Sequence, residues 1–364
     1  MEALNKIPRP ESSKTGWPWT EETDPSLYKS YQTYPKISIV MPTYNQGQFI
    51  EEAIRSLLLQ NYPNLEFIVM DGGSNDNTVE IVKKYEPWIT YWESCKDKGQ
   101  SHAINKGLAR CTGEWFNWLN SDDYLLPEAL FAFAEIIIKS PKKPIAVCGE
   151  KMVINLNGVL KDLPKNNRER KYEDFIGMGY FQAAALYDIE KIRYFGGVDE
   201  DLHFTMDIKL VMQLNQLGET LRTSNKVMVA RTHDESKGAH AKKFHNEWIR
   251  AYAYLVSMIP PKNRDKGLCE ILTKVTGISF FISGDNSLPF LHKFNEKELQ
   301  FGQLYMVERI INLMYANQKP GIRKLANFMK TNYPEFYNES NVGFLSLKSN
   351  FVIQMFVKLR NALR

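Results

Sequence analysis

The sequence predicts an α/β fold in which helices flank a mostly parallel sheet, followed by a helical C-terminal extension. First, short apolar runs alternate with amphipathic segments from Ile37 onward, which is the pattern of strand–helix–strand units. Second, polar loops follow the apolar runs, as expected where the strands of an open parallel sheet meet a ligand. Third, strand patterns stop near His240, and amphipathic helical patterns occupy the remainder.

The composition is that of a folded, soluble protein. The 364 residues are 43% hydrophobic and 24% charged, which allows one large core and a smaller second unit. The 46 basic and 42 acidic residues leave a net charge of +4. This excess is too small to indicate a nucleic-acid partner, and it is compatible with anionic ligands or a membrane surface.

The sequence contains no apolar segment of the length that crosses a membrane. The start, "MEALNKIPRPESSK", lacks a long apolar core, and the longest apolar stretch, "LFAFAEIII", is short and interrupted by Glu135. We therefore expect a cytoplasmic protein. Its cysteines lack the close pairs of a zinc site and the density of a disulfide scaffold. We expect buried thiols at Cys95, Cys111, Cys148 and Cys269.

Residues 1–36 precede the alternating pattern. They are rich in Pro, Ser, Thr and aromatic residues without periodicity, which indicates an extended arm packed by its tryptophans and tyrosines. A disordered arm is the alternative. Residues 37–240 are expected to form the α/β domain, and residues 241–364 a helical C-terminal region.

The predicted elements follow in chain order. Up to Gly149 they are the strand "ISIVM", a helix with apolar residues at helical spacing from Ile50 to Leu58, the strand "LEFIVM", the helix "TVEIVKKYE", the strand "ITYW", the helix "QSHAINKGLAR", the strand "WFNWL", the helix "PEALFAFAEIIIK" and the strand "IAVC". Beyond it they are a hairpin around Asn157-Gly158, the strand "FQAAALY", a helix carrying Leu210, Val211, Leu214 and Leu217, and the strand "NKVMVAR".

Two of the polar loops resemble ligand-binding turns. "DGGSNDNT" places Asp71 at a strand end, followed by glycines that let a ligand approach the backbone. A nucleotide base or ribose is the functional interpretation, and a plain strand-to-helix turn is the alternative. "DKGQS" offers Asp97, Lys98 and a glycine at a helix start, where free amides attract anions.

The adjacent carboxylates Asp122 and Asp123 end the apolar run "WFNWL". Like charges about 4 Å apart repel by roughly 4 kcal/mol at an effective dielectric near 20, so such a pair needs solvent, a helix cap or a cation. One carboxylate suffices as a cap before Pro127. Two fit a hard divalent cation better. His233, after the last strand, is the residue expected to complete this metal site with a neutral imidazole.

Three segments resemble the motifs of one family, the family 2 glycosyltransferases of the GT-A fold. They are "SIVMPTYNQGQFIEEAIRSLLLQNYPNLEFIVMDGGSNDNT", "DKGQSHAINKGLARCTGEWFNWLNSDDYLLP" and "GGVDEDLHFTMDIKL", within Ile37 to about Lys237. The resemblance implies a GT-A, Rossmann-like fold and transfer of a sugar from a nucleotide sugar to an acceptor hydroxyl, with inversion. It covers somewhat more than half the chain and excludes residues 1–36 and 241–364.

The resemblance also implies a set of site residues. The expected nucleotide-sugar-binding residues are Pro42, Thr43, Tyr44, Asn45, Asp71, Gly73, Asp97, Lys98, Gln100, Asn120, Ser121 and Asp122. The metal, Mn²⁺ or Mg²⁺, is expected at Asp122, Asp123 and His233. Asp122 corresponds to the family's D-x-D motif, but Asn120 replaces the first aspartate of that motif.

Asp207 is the expected catalytic base. In "HFTMDIKL" it matches the second member of the family's acidic pair, whereas Met206 replaces the first. A carboxylate that stabilises the N-terminus of a helix is the structural alternative. An inverting displacement needs a base on the face opposite the leaving nucleotide.

The resemblance also implies partners for this protein, and rival functions stand beside it. We expect a UDP-, GDP- or dTDP-linked sugar donor and a saccharide or lipid-linked acceptor, in envelope or exported polysaccharide or glycolipid synthesis. Leu345 to Arg364 combines apolar and basic residues, which fits either a helix packed on the enzyme or on a partner subunit, or a peripheral contact with the inner face of the membrane. The rivals are a non-catalytic nucleotide-sugar-binding or scaffold protein on this fold and a sugar nucleotidyltransferase, whose Gly-rich basic loop is missing.

Overall fold

The computed structural model describes residues 3–155, 159–162, 181–234, 236, 245–280, 295–316, 320–340 and 342. Two compact units emerge, with the described residues up to 236 in the first and those from 245 onward in the second. The boundary predicted at residue 240, the Asn157-Gly158 turn and the segment Leu345–Arg364 lie outside the described residues. Within the described part of the chain, no helix is both long and apolar enough to cross a bilayer.

The first unit is built on a single sheet. Its described strands are β1 (Ile37–Thr43), β2 (Leu65–Asp71), β3 (Tyr91–Ser94), β4 (Trp115–Trp118), β5 (Tyr124–Leu125), β6 (Ala146–Asn155), β7 (Leu160–Asp162), β8 (Ala185–Asp188) and β9 (Thr220–Thr232). They lie in the order β3-β2-β1-β4-β8-β6-β9-β5, with β7 beside β6.

Helices follow most of these strands. In the first unit they are α1 (Ile50–Leu58), α2 (Thr78–Lys84), α3 (Gln100–Arg110), α4 (Ala129–Lys139), α5 (Ile189–Tyr194) and α6 (Met206–Leu214). In the second unit they are α7 (His245–Met258), α8 (Lys266–Thr276), α9 (Glu296–Ala316), α10 (Ile322–Asn332) and α11 (Pro334–Glu339). Short 3₁₀ segments occur at Ala3–Asn5, Pro25–Lys29, Glu86–Trp88, Gln182–Ala184 and Pro261–Asn263.

The predicted α/β fold with a C-terminal helical region is confirmed, and the sheet is parallel where the alternation was strongest. Strands β3, β2, β1 and β4 are mutually parallel, and β6 is parallel to β9. Strands β5, β7 and β8 run antiparallel to their neighbours. The sequence analysis did not predict β5 or α5, because a two-residue strand and a six-residue helix are too short to show a period.

Both faces of the sheet are covered, which is why β1 is buried along its whole length. Alternate residues of β1 point to opposite faces: Ile39 and Met41 join one core cluster, and Val40 joins the other. Helix α3 lies close against the second face, where a Cβ on Gly107 would come within 2.5 Å of Val40. The strand ends of β1 and β2 are in register at Thr43 and Asp71, so their loops emerge side by side.

The N-terminal arm is anchored by Arg55 of α1. Its buried guanidinium donates hydrogen bonds to the carbonyl oxygens of Pro8, Pro18 and Trp19 at 2.7, 3.0 and 2.8 Å. It also donates to the hydroxyl of Tyr85 at 3.1 Å. A buried cation is tolerated here because its donors find acceptors, and the arm thereby gains a fixed path across the first unit.

A second polar network lies near the starts of the parallel strands, away from the loops that follow β1 and β2. The buried Glu66 carboxylate accepts hydrogen bonds from Ser38 Oγ at 2.5 Å and from the backbone N–H and hydroxyl of Thr112 at 2.7 and 2.5 Å. Lys36 Nζ lies 3.2 Å away. Burial raises the pKa of Glu66, but these hydrogen bonds and Lys36 outweigh it and bring the pKa to about 2.

The cysteines differ from expectation at one position. Cys111, Cys148 and Cys269 are buried as predicted, but Cys95 is exposed. It lies in the loop after β3, where Lys106 Nζ contacts its sulfur at 3.1 Å. The four thiols are free.

The second unit is helical, with α7 contributing Tyr252 and Leu255 to its interior. Helix α8 begins at a genuine cap, since Asp265 accepts a hydrogen bond from the backbone N–H of Leu268 at 2.9 Å. It ends at Gly277, which has a left-handed φ of +72°. Gln303 of α9 donates to the carbonyl of Asn263 at 3.1 Å and so fastens α9 to the segment before α8.

Replacement of Arg55 by methionine should release the arm. We expect Arg55→Met to lower the free energy of unfolding by about 3 kcal/mol, because carbonyl oxygens lose a charged donor. Urea unfolding measures that loss, and trypsin should cut the variant at Lys14 before it cuts wild type. The exposed Arg250→Met is the control. Equal stability of Arg55→Met and wild type would contradict the anchor.

The Glu66 network predicts a pH dependence of stability. Because its folded-state pKa is lowered to about 2 from 4.5, the contribution of Glu66 is complete above pH 4.5 and is lost as pH falls toward 2. Glu66→Gln should therefore be less stable than wild type at pH 6, and the gap should narrow at pH 3. Chemical unfolding at both pH values, with the exposed Glu80→Gln as control, tests this. A gap that stays constant between the two pH values would argue against it.

Candidate active site

The loops after β1 and β2 are joined into one surface. The backbone N–H of Asn45 donates to Ser74 Oγ at 2.8 Å, and the backbone N–H of Gly47 donates to Asp76 Oδ2 at 2.9 Å. In return, Asn45 Oδ1 accepts from the backbone N–H of Asn75 at 2.9 Å. Asn45 has a φ of 52°, a conformation that asparagine tolerates better than most residues. The two predicted binding loops therefore act as a single rigid wall.

Asp71 holds the second of these loops in shape. It is buried, and its carboxylate accepts hydrogen bonds from the backbone N–H groups of Gly73 and Ser74 at 3.1 and 3.0 Å. The hydroxyls of Ser74 and Ser94 donate to it at 2.5 and 2.6 Å. Ser94 ends β3, so one carboxylate links the loops after β2 and β3. Asp71 thus orders the wall by accepting hydrogen bonds from residues of its own chain.

Thr43 and Tyr44 are the residues of this wall whose side chains are available to a ligand. Thr43 Oγ1 is buried and makes no hydrogen bond within the described residues. A buried hydroxyl without a partner costs free energy, so it marks a place where a bound ligand has something to offer. The neighbouring Tyr44 ring is 56% exposed, which leaves its face open for stacking. The carbonyl of Pro42, just before them, accepts a hydrogen bond from Ser121 Oγ at 3.4 Å.

The loop after β3 leads into α3. Asp97 Oδ1 accepts a hydrogen bond from the backbone N–H of Gly99 at 2.7 Å, and the φ of Gly99, 110°, suits glycine alone. Gln100, the first residue of α3, donates from its amide to Asn120 Oδ1 at 2.6 Å. Lys98 is exposed between them. This loop therefore borders the turn that follows β4.

That turn carries the acidic pair, whose two members have different surroundings. Asp123 is buried, and its carboxylate accepts hydrogen bonds from the backbone N–H of Arg231 at 2.9 Å and from the Asn120 amide at 3.2 Å. Burial and the charge of Asp122 raise the pKa of the Asp123 carboxyl well above its usual value. Asp122 is the more exposed of the two, with 22% of its side-chain surface accessible.

Asp122 and His233 meet as the sequence analysis predicted. His233 Nε2 lies 3.0 Å from Asp122 Oδ2, although 111 residues separate the two. The short antiparallel pairing of β5 with β9, with Tyr124 opposite Val229, brings these chain segments together. The two atoms contact each other directly. A carboxylate oxygen and an imidazole nitrogen are also a donor set that Mn²⁺ accepts.

The expected third ligand does not join them. Within the described residues, no three His, Cys, Asp or Glu side chains are grouped to hold a metal ion. Asp123 was expected in that role, but its oxygens are already engaged by Asn120 and Arg231. Of the three expected ligands, Asp122 and His233 are thus the two that lie in contact. A cation there would take its remaining ligands from a bound substrate or water.

Asp207 lies in the first turn of α6. Burial lowers the pKa of Lys151 of β6, and the charges of Asp123 and Asp207 oppose that shift. The Lys151 ammonium lies 3.3 Å from the centre of the Phe181 ring.

Sequence reasoning missed Arg231, Glu52 and Lys151. Arg231 stands two residues before His233, and its guanidinium contacts the carbonyl of Asp122 and the carboxylate of Glu52 at 2.6 and 2.7 Å. Its position beside a predicted ligand at a strand end was a usable signal. Glu52 and Lys151 lie inside a helix and a strand, where nothing in the local pattern separates them from solvent-facing charges.

The family relationship agrees with this geometry. Residues 38–196 match the sequence profile described as "Glycosyl transferase family 2". The resemblance predicted from the sequence is thereby confirmed. An uncharacterized glycosyltransferase of Rickettsia typhi is 28% identical over 207 residues, which are 55% of this chain and 65% of that protein.

Two named relatives match over shorter segments. A GalNAc(5)-diNAcBac-PP-undecaprenol beta-1,3-glucosyltransferase of Campylobacter jejuni is 37% identical over 100 residues, 26% of this chain and 32% of that protein. A poly-beta-1,6-N-acetyl-D-glucosamine synthase of Staphylococcus epidermidis is 28% identical over 137 residues, 37% of this chain and 33% of that protein. The matched regions thus span less than two thirds of each of these relatives.

Solved structures share the fold. S. aureus TarS in complex with UDP-GlcNAc superposes with a TM-score of 0.55 at 18% identity, covering 89% of this chain and 92% of that chain. The mannosyltransferase PcManGT from Pyrobaculum calidifontis, in complex with GDP-Man and Mn²⁺, gives 0.51 at 18% identity, covering 93% and 90%. The predicted GT-A fold is confirmed.

Proposed function

We propose, on the premise that residues 38–196 belong to glycosyl transferase family 2, that this chain transfers a sugar from a nucleotide-sugar donor to an acceptor hydroxyl with inversion. The observation that carries the proposal is the contact of Asp122 with His233 at the edge where the binding loops converge. Two relatives match over short segments, and their names place one in building a glycan on undecaprenol diphosphate and the other in polysaccharide synthesis. We extend that class, a polysaccharide or glycolipid acceptor, to this chain.

The donor nucleotide lies against the wall formed by the loops after β1 and β2. Tyr44 offers an exposed ring for the base, and the unpaired Thr43 hydroxyl lies beside it. Asp71 acts here as a positioning residue, since its hydrogen bonds already go to its own loop. Lys98, exposed at the start of α3, supplies a positive charge for the diphosphate.

Asp122 and His233 are the residues that would hold a divalent cation. When bound, such a cation stabilises the negative charge that develops on the leaving diphosphate. The chain's own contribution is to present one carboxylate and one imidazole at the same point, 3.0 Å apart. Asp123 and Asn120 shape the turn that presents Asp122, because the Asn120 amide donates a hydrogen bond to the Asp123 carboxylate at 3.2 Å.

Asp207 is the base in this proposal. The acceptor oxygen attacks the anomeric carbon, its proton passes to the Asp207 carboxylate, and the donor's carbon–oxygen bond breaks with its electron pair on the nucleoside diphosphate. What supports this role is the match of Asp207 to the second member of the family's acidic pair and its place in the first turn of α6.

The metal role of Asp122 predicts a cation-dependent loss of donor binding. Asp122→Ala should weaken nucleotide-sugar binding by about 10-fold or more in Mn²⁺ and by much less in EDTA, because it removes a cation ligand and leaves the nucleotide wall intact. A thermal-shift panel of UDP-, GDP- and dTDP-sugars first identifies the donor. Isothermal titration of wild type and variant in both buffers then tests the prediction. Losses of equal size in Mn²⁺ and EDTA would refute it.

The base role of Asp207 predicts a selective loss of turnover. Asp207→Asn keeps the size of the side chain and its position in the first turn of α6. We expect a fall in kcat of about 10²- to 10⁴-fold with nearly unchanged donor affinity and melting temperature. Steady-state kinetics, donor titration and thermal unfolding measure the three quantities.

A matched variant separates chemistry from a general effect of charge. Glu219→Gln removes an exposed carboxylate in the loop after α6, and we expect it to retain most of its activity. A near-normal rate for Asp207→Asn would make Asp207 structural and direct the search to Asp199, Glu200 and Asp201.

A further inference from the structure

The guanidinium of Arg231 joins three separate segments of the chain. One nitrogen, Nη1, donates to the backbone carbonyl of Asp122 at 2.6 Å, and Nη2 donates to Glu52 Oε2 at 2.7 Å. The backbone N–H of Arg231 donates to Asp123 Oδ1 at 2.9 Å. Helix α1, the turn after β4 and the end of β9 therefore meet at one residue.

These bonds are shielded from water. The Arg231 guanidinium lies 4.8 Å from the centre of the Phe49 ring and 5.4 Å from that of Tyr124, and only 10% of its side-chain surface is exposed. The Phe49 ring also lies 5.0 Å from the imidazole of His233. Hydrogen bonds in such a dry setting are stronger and more directional than at the surface, so the geometry they impose is firm.

We propose that Arg231 is a positioning residue that holds Asp122 and His233 in the arrangement needed to share one divalent cation. This inference rests on the proposed function and adds a residue to it. Arg231 fixes the backbone of Asp122 from one side, and it precedes His233 by two residues on the same strand end. Asp122 is thus held by the guanidinium through its carbonyl, and His233 is held through the two-residue connection along the chain. A cation would be repelled by Arg231 itself, so the residue acts through its neighbours.

The shape of arginine matters as well as its charge. The planar fork reaches the Asp122 carbonyl and the Glu52 carboxylate in different directions at once. Lysine has a single ammonium on a flexible stem and cannot reproduce that bridge. Arg231→Lys should therefore keep the charge of the site and lose the alignment of its ligands.

The experiment measures the affinity for Mn²⁺ alone, in the absence of any nucleotide. Full-length wild type, Arg231→Met, Arg231→Lys and Arg55→Met are titrated with MnCl₂ by calorimetry, well below the lowest melting temperature among them. Arg55→Met is the matched control because it also removes a buried arginine that bridges segments, at the N-terminal arm. A purely structural role would lower the melting temperature of both methionine variants and leave Mn²⁺ affinity unchanged.

We expect Arg231→Met and Arg231→Lys to bind Mn²⁺ at least about tenfold more weakly than wild type, and Arg55→Met to bind it normally. If Arg231→Met fails to fold, Arg231→Lys carries the test. Wild-type Mn²⁺ affinity in a folded Arg231 variant would overturn this inference and leave the proposed function standing. If wild type binds no Mn²⁺ alone, the titrations are repeated with the donor identified by the thermal-shift panel at saturation, and wild type that still binds no Mn²⁺ would refute the metal site, and the inference with it.

Discussion

The pairing of the two-residue strand β5 with β9 is the constraint on which the site depends. Because β5 starts directly after the acidic turn, this pairing brings the turn within reach of residues more than a hundred positions later. The buried carboxylate of Asp123 secures the pair by accepting the backbone N–H of Arg231. Such a buried group must be hydrogen-bonded, so the turn has few alternative conformations. Asp122 is left pointing at His233 as a consequence of its neighbour's burial.

The register of the parallel strands plays a similar role for the loops proposed to bind the nucleotide. Thr43 lies opposite Asp71, and Asp71 opposite Ser94, so the loops after three parallel strands begin at one level. Side chains then join the loops into a continuous wall, with the Asp71 carboxylate as the main acceptor. Several residues that the sequence suggested as ligand contacts therefore hydrogen-bond to the chain itself and order its backbone. The groups left over for a ligand are few, chiefly the Tyr44 ring and the Thr43 hydroxyl.

Stability and binding use different parts of the first unit. The Glu66 network joins the starts of the parallel strands, and Arg55 ties the N-terminal arm to α1. Among the residues that the structure describes, neither Glu66 nor Arg55 hydrogen-bonds to the proposed binding residues, whereas the arm itself reaches β5, where Trp17 Nε1 donates to the carbonyl of Leu125 at 2.8 Å. The position of Glu66 has a practical value, because its variant changes stability without removing a hydrogen bond of the proposed binding groups. A loss of metal affinity in an Arg231 variant can then be told apart from a loss of stability.

The sequence by itself determined the strand and helix alternation, the helical C-terminal region and the loops that form the site, because apolar periodicity and turn residues are local properties. It also identified Asp122 and His233 as candidate metal ligands, because both follow predicted strands. Only the tertiary structure decided that Asp123 is buried and engaged, that Asp71 bonds to its own loop, and that Arg231 bridges Asp122 and Glu52. These facts depend on which distant segments pack together, and the pairing of a two-residue strand leaves no periodic trace in the chain.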